Sequence, residues 1–171
     1  LDRFLVRTEP LLRWTHGAWA GRAFVDLGYG ARPTTTLEAA QHFRRTHPRL
    51  RVIGVEIDPE RVAAARPWCD AYTDFRRGGF ELPLRAGETV RCIRAMNVLR
   101  QYGEADVAGA HAALLSVLPP GGLLVEGTSN PSGSLMVVNL LRVRAHGPPE
   151  HRVLFSANLR HPLASPRDLQ P

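Results

Sequence analysis

The sequence predicts an α/β fold, a three-layer sandwich with helices on both faces of a mostly parallel sheet. Short apolar runs of strand character recur along the chain, and helical patterns separate most of them, as in parallel strands joined by crossover helices. Near the end, two strand-like runs flank Gly147-Pro148-Pro149, which indicates a closing antiparallel hairpin. The predicted strands lie at 23–28, 51–57, 89–96, 123–127, 136–144 and 151–159, and residues 71–75 are predicted to form a short third strand together with its exit.

The composition fits a single globular domain. A chain of 171 residues is long enough to bury about two-thirds of its unfolded surface. No apolar run approaches the length of a membrane span, so we expect no membrane partner. Cys69 and Cys92 are far apart and have no metal-type spacing, which predicts reduced thiols, a cytoplasmic location and no metal. The formal net charge is +6, but all 22 basic residues are arginine, which weakens the case for a nucleic-acid partner.

Residues 1–22 are expected to form an N-terminal helical segment ahead of a domain covering 23–171. Apolar residues follow one another on both sides of Pro10, which predicts two short helices. These helices either pack on the core or cover a ligand site at the sheet edge.

The first predicted strand ends at two glycines, Gly28 and Gly30, that are spaced one residue apart. Glycine has no Cβ and tolerates positive φ, so the backbone here can pass close to a ligand. Thr35 with Glu38 three residues later reads as a capping box that opens the next helix. A strand, a glycine turn and a helix N-terminus together form a nucleotide-binding crevice.

The second strand ends in acids, Glu56 and Asp58. Parallel strands joined by a crossover place Glu56 at the same sheet edge as the glycines, where a carboxylate can accept both hydrogen bonds of a ribose diol. Asp58 followed by Pro59 is typical of a helix N-cap instead. The dinucleotide pattern G-x-G-x-x-G is broken at its third position by Pro33, which argues against NAD or FAD.

These two stretches resemble motif I and the following acidic motif of class I S-adenosylmethionine (SAM)-dependent methyltransferases. The resemblance extends from about Ala23 to Leu159, and the turn at 118–122 fits the turn that precedes strand five in that family. It implies a Rossmann-like, seven-stranded sheet of order 3-2-1-4-5-7-6 and SAM as the cofactor.

The resemblance also implies roles for individual residues. Asp26 would orient the SAM ammonium group directly or through water, and Glu56 would hold the ribose. Asp74, just past strand three, would accept from the adenine amino group beside Phe75. Asn97, at the exit of strand four, would lie near the methyl donor. The full predicted cofactor set is Asp26, Gly28, Tyr29, Gly30, Glu56, Ile57, Asp74, Phe75 and Asn97.

Three functions compete on this evidence. The first is a methyltransferase acting on a small molecule or RNA, since the motifs of DNA amino- and cytosine C5-methylation are absent. The second is a non-catalytic SAM- or nucleotide-binding module that regulates a partner, and the third is an NAD-linked oxidoreductase. No catalytic acid or base is assigned, and His16, Tyr102 and His111 are the candidates.

Overall fold

A seven-stranded sheet forms the centre of the computed structural model, which describes residues 1–158. The strands are β1 Ala23–Leu27, β2 Val52–Glu56, β3 Thr73–Arg77, β4 Val90–Met96, β5 Leu123–Ser129, β6 Leu135–Arg142 and β7 Glu150–Ala157. They lie in the order β3-β2-β1-β4-β5-β6-β7. The first five strands run parallel, and β6 and β7 are antiparallel to their neighbours. The α-helices are α1 Asp2–Thr8, α2 Thr34–Arg44, α3 Pro59–Ala65 and α4 Glu104–Ser116.

The predicted fold class and the closing hairpin are confirmed, but the predicted order of the last two strands is wrong. Only residues 130–134 connect β5 to β6, and so short a connection makes a hairpin between neighbouring antiparallel strands. β6 therefore pairs with β5, and β7 forms the outer edge. The predicted end of the last strand at Leu159 and of the domain at 171 lie outside the described residues.

The N-terminal segment packs directly on one face of the sheet. α1 and the 3₁₀ turn Pro10–Leu12 contribute Leu5, Leu11 and Leu12 to the same buried cluster as Phe24 of β1. On the other face, α4 packs over β1 and β4 through Leu114. None of the helices within residues 1–158 combines the length and apolar character that a membrane span requires.

Arg91 of β4 ties this N-terminal segment to the sheet. Its side chain is fully buried, and its guanidinium donates to the backbone carbonyls of Leu11, Trp14, Trp19 and Arg22. Burial lowers the pKa of Arg91 to about 10, so the group remains a cation at neutral pH. One side chain thus satisfies four carbonyls of a segment that has little regular structure of its own.

The capping box predicted at Thr35 and Glu38 is wrong. α2 begins at Thr34 after Pro33, and no side chain caps it. The Thr36 hydroxyl instead donates to Asp26 at 2.6 Å, and Thr35 Oγ1 lies 3.5 Å from the same carboxylate. The start of α2 is therefore fastened to β1 by hydroxyl groups rather than by a capping box.

Glu88 should make the fold sensitive to acid. The Arg76 guanidinium donates to it at 2.8 Å, and this bond chiefly lowers the pKa of the Glu88 carboxyl from 4.5 to about 2. A depressed carboxyl pKa stabilises the fold above the unfolded value, and this stability is lost as pH falls from about 4.5 toward about 2. We expect Glu88→Gln to cost about 1–3 kcal/mol near neutral pH and less at about pH 3.

Urea unfolding of the parent protein and of Glu88→Gln, near neutral pH and at about pH 3, measures this difference in the free energy of unfolding. Glu81→Gln, which removes an exposed carboxylate from the same loop, is the matched control. An acid sensitivity in Glu88→Gln equal to that of the parent protein would contradict the prediction.

Candidate functional site

Two adjoining cavities open at the carboxyl ends of β1, β2 and β4. The helices that follow β1 and β4 lie on opposite faces of the sheet, so the crevice between these strands is the switch point at which ligands bind in such folds. The Glu56 cavity, of about 170 Å³, is lined by Glu56, Ile57, Gly78, Phe80, Val98 and Tyr102, among others. The Asp26 cavity, of about 430 Å³, is lined by Asp2, Asp26, Tyr29, Arg94, Asn97 and Met136, among others. Both cavities include Leu27, Gly28, Gly30 and Gln101.

The two glycines of the bend have different structural roles. Both have positive φ, +72° at Gly28 and +80° at Gly30. A Cβ at Gly28 would lie 2.5 Å from Val98 Cγ2, whereas a Cβ at Gly30 would meet nothing within 4 Å. Gly28 is therefore required by the packing of the protein itself. Gly30 leaves open space at the point where both cavities meet.

The Glu56 carboxylate points into this bend. It accepts hydrogen bonds from the Gly30 amide at 2.9 Å and from the Ile57 amide at 3.0 Å. Its side chain is buried, yet it lines the Glu56 cavity. Asp58 is the N-cap of α3, where it accepts from two amides of the first turn, as the sequence predicted. Of the two acids, Glu56 is thus the one beside the glycines.

Tyr29 and Ile57 form parts of the two cavity walls. Tyr29 is buried, lines the Asp26 cavity and packs edge-on against Phe75 at 5.3 Å between ring centroids. Burial, with a smaller effect of the Glu56 carboxylate, raises the pKa of the Tyr29 hydroxyl to about 12, so this hydroxyl stays protonated. Ile57 is 63% exposed at the rim of the Glu56 cavity.

Asp74 and Phe75 lie away from both cavities, and the predicted end of strand three is wrong. β3 continues to Arg77, so Asp74 lies near its start and pairs with Arg76 at 2.8 Å and Arg85 at 2.9 Å. Phe75 is buried beneath Tyr29. The residues just past β3 are Gly78, Gly79 and Phe80, which line the Glu56 cavity. The sequence did not indicate that β3 continues to Arg77, because charged residues such as Arg76 and Arg77 rarely extend a buried strand.

Asp26 is held in an ion pair that sequence reasoning missed. Arg94, its register partner on β4, donates from Nε to one Asp26 oxygen and from Nη2 to the other, both at 2.8 Å. Arg94 Nη1 donates to Asp2 of α1 at 2.6 Å. The sequence contained one indication of this ion pair, because Arg94 stands in a mainly apolar strand. An arginine in such a position is seldom buried without a carboxylate partner.

Asn97 joins the ends of β4 and β5. It has a positive φ of 61°, which is uncommon outside glycine. Its side-chain oxygen accepts from the Ser129 amide at 2.8 Å and from the Thr128 hydroxyl at 3.2 Å. It lines the Asp26 cavity. A backbone of this kind persists where surrounding bonds fix it, often at functional sites.

The three candidate acid–base residues are dispersed. Tyr102 lines the Glu56 cavity and packs against Phe80, with ring centroids 5.1 Å apart. His111 lies on α4 with its Nε2 3.6 Å from Glu126, and His16 is exposed before the turn Gly17–Trp19. Neither histidine lines the two cavities.

Comparison with solved structures identifies the fold. The sugar N-methyltransferase KedS8 from a Streptoalloteichus species aligns with a TM-score of 0.53 and 19% identity over 98% of this chain and 74% of its own. The SAM-bound aminopentose methyltransferase CalS10 from Micromonospora echinaspora aligns with a TM-score of 0.51 and 16% identity over 91% of this chain and 73% of its own. The [4+2]-cyclase SpnF aligns with a TM-score of 0.51 and 25% identity over 74% of this chain and 44% of its own.

No protein-family model matches the chain, and no curated protein matches its sequence. The chain nevertheless has the class I SAM-dependent methyltransferase fold, so the resemblance drawn from the glycine and acidic motifs is confirmed at the level of the fold.

Proposed function

We propose that this protein binds SAM in the two cavities and transfers its methyl group to a small-molecule or RNA acceptor. The observation that carries the proposal is the hydrogen bond between the Glu56 carboxylate and the Gly30 amide. It sets a buried acid beside a bend with no Cβ and with open space in front of it. An adenosine bearing a sulfonium fits such a site without the third glycine that a pyrophosphate requires.

The donor groups of the site match the parts of SAM. Glu56 would accept from a ribose hydroxyl, because a carboxylate offers about four lone-pair sites and the Gly30, Ile57 and Asp58 amides occupy the others. Phe80, Val98 and Ile57 would provide an apolar enclosure for the adenine. Gly30 would let the amino-acid end pass toward the Asp26 cavity, where Asp26, Arg94 and Asn97 lie.

When bound, SAM supplies a methyl group already activated by the positive charge on its sulfur. The protein then needs mainly to position the acceptor in line, an effect worth roughly 7–11 kcal/mol at best. The Asp26 cavity supports this role, since it draws on α1, the exit of β4 and the end of β5.

A second candidate is a non-catalytic SAM- or nucleotide-binding module that regulates a partner. It is favoured by one observation, that neither His16 nor His111, two of the three candidate acid–base residues, lines either of the two cavities. We further propose that the protein is located in the cytoplasm. Cys69 and Cys92 are free thiols, and free thiols are typical of reducing compartments.

Calorimetric titration first tests which ligand the protein binds, and this separates the two SAM-based functions from an NAD-linked oxidoreductase. We expect S-adenosylhomocysteine and SAM to bind and NAD to bind far more weakly, and selective NAD binding would contradict both SAM-based functions. A radiolabelled methyl-transfer screen over RNA and small-molecule fractions then tests turnover. Labelled product supports the methyltransferase, whereas tight binding without transfer to any fraction favours the binding module.

A further inference from the structure

The Asp26 cavity contains more negative charge than the Asp26–Arg94 pair alone explains. Arg94 faces two carboxylates, Asp26 across the strand pair and Asp2 from α1. The side chains of Arg94 and Asp26 are almost fully buried, whereas that of Asp2 is 14% exposed. Glu38 and Arg100 also line the cavity, so three carboxylates face two guanidiniums and the charged side chains leave one net negative charge. Of the two carboxylates that Arg94 contacts, Asp2 is the more accessible one.

Asp26 is poorly placed to bind a further cation. Both of its oxygens accept from Arg94, and one of them also accepts from the Thr36 hydroxyl at 2.6 Å. A ligand ammonium that displaced Arg94 would leave a buried guanidinium short of its partner, which is strongly unfavourable. The carboxylate expected from the sequence to orient an ammonium is therefore already neutralised within the protein.

Asp2 has the capacity that Asp26 lacks. Its Oδ1 accepts from Arg94 Nη1 at 2.6 Å, and within residues 1–158 no hydrogen bond to its Oδ2 is formed. Both Asp2 and Gly30 line the Asp26 cavity, so a ligand that crosses the glycine bend enters the same space. α1 is fixed there because Leu5 is buried in the core.

We propose that Asp2, and not Asp26, is the carboxylate that binds the ammonium group of the ligand's amino-acid end. This inference rests on the proposed function, because it takes the ligand to be SAM or its product. It makes the N-terminal segment part of the cofactor site and makes Arg94 the residue that positions Asp2.

The test is calorimetric titration of the parent protein, Asp2→Asn and Asp106→Asn. Asp106→Asn is the matched control, since both acids lie in the first turn of a helix and Asp106 is exposed away from the cavities. Three ligands separate the contributions of the functional groups. S-adenosylhomocysteine has ammonium and carboxylate, its decarboxylated analogue S-adenosyl-3-thiopropylamine has the ammonium alone, and 5′-methylthioadenosine has neither.

We expect Asp2→Asn to weaken both ammonium-bearing ligands roughly tenfold or more, the size of a lost hydrogen bond to a charged group. Binding of 5′-methylthioadenosine should stay within about twofold, and Asp106→Asn should bind all three ligands like the parent protein. The asparagine oxygen can still accept from Arg94, so α1 should remain in place, and thermal unfolding checks this.

Four results would overturn the inference. Unchanged binding of the ammonium ligands, or tighter binding because the ligand carboxylate takes Arg94 in place of Asp2, contradicts it while leaving the proposed function intact. Equal weakening of 5′-methylthioadenosine would mean that Asp2 acts only through the fold. If the parent protein binds none of the three ligands, the proposed function is wrong as well.

Discussion

Replacing Arg91 with methionine should lower the free energy of unfolding by about 3 kcal/mol or more. Methionine fills similar space and removes the cost of a buried cation, but it takes the guanidinium donor away from four backbone carbonyls. The Trp19 carbonyl keeps the Arg22 amide as a donor at 3.3 Å. An unsatisfied buried carbonyl costs about 1–3 kcal/mol, and part of this is recovered where water reaches the exposed Trp14. Urea unfolding followed by circular dichroism measures the change.

Two further variants define the origin of the Arg91 effect. Arg91→Lys keeps a cation with fewer donors and should fall between the parent protein and Arg91→Met. Arg100→Met removes an exposed arginine and should change the stability by less than about 0.5 kcal/mol. A similarly small change in Arg91→Met would show that the N-terminal segment does not depend on this side chain.

Replacing Glu56 with alanine should weaken S-adenosylhomocysteine binding roughly 10- to 100-fold. The substitution removes the proposed ribose acceptor and also frees the Gly30 and Ile57 amides that Glu56 now binds. Both effects act on the same ligand, because the bend and the acid form one wall of the Glu56 cavity. Isothermal titration calorimetry on the folded variant measures the loss.

Two comparisons test the role of Glu56. Glu56→Gln keeps one oxygen for the Gly30 amide and should lose less affinity than Glu56→Ala. Glu60→Ala, an exposed acid in the first turn of α3, should bind like the parent protein. Unchanged affinity in Glu56→Ala would transfer the ribose role to Asp58, at the expense of its N-cap bonds.

The parts of the fold and site that the sequence predicted are those determined by local pattern. Gly28, Gly30 and Glu56 meet as expected because the carboxyl ends of adjacent parallel strands share one edge. Asp58 caps α3 because its role depends only on the first residues of the helix that follows it. These inferences needed no knowledge of distant contacts.

The parts that the sequence did not predict depend on contacts between distant segments. Arg91 and Arg94 looked like interruptions of an apolar strand, yet both are buried because partners from residues 2–26 satisfy them. Arg76 within β3 is likewise buried through Glu88 and Asp74, and this shifted the expected end of that strand. The order of the last strands was set by the family resemblance, whereas the short 130–134 connection determines it.

The hydrogen bond from Gly30 to Glu56 has a consequence for the energetics of recognition. A loop that must be ordered by its ligand loses conformational entropy at the moment of binding, and this loss reduces the affinity. Here the loop is ordered when the chain folds, by an acid that forms bonds on both sides of the crevice. The site is thus preorganised, and most of the interaction energy of an arriving nucleoside remains available as affinity.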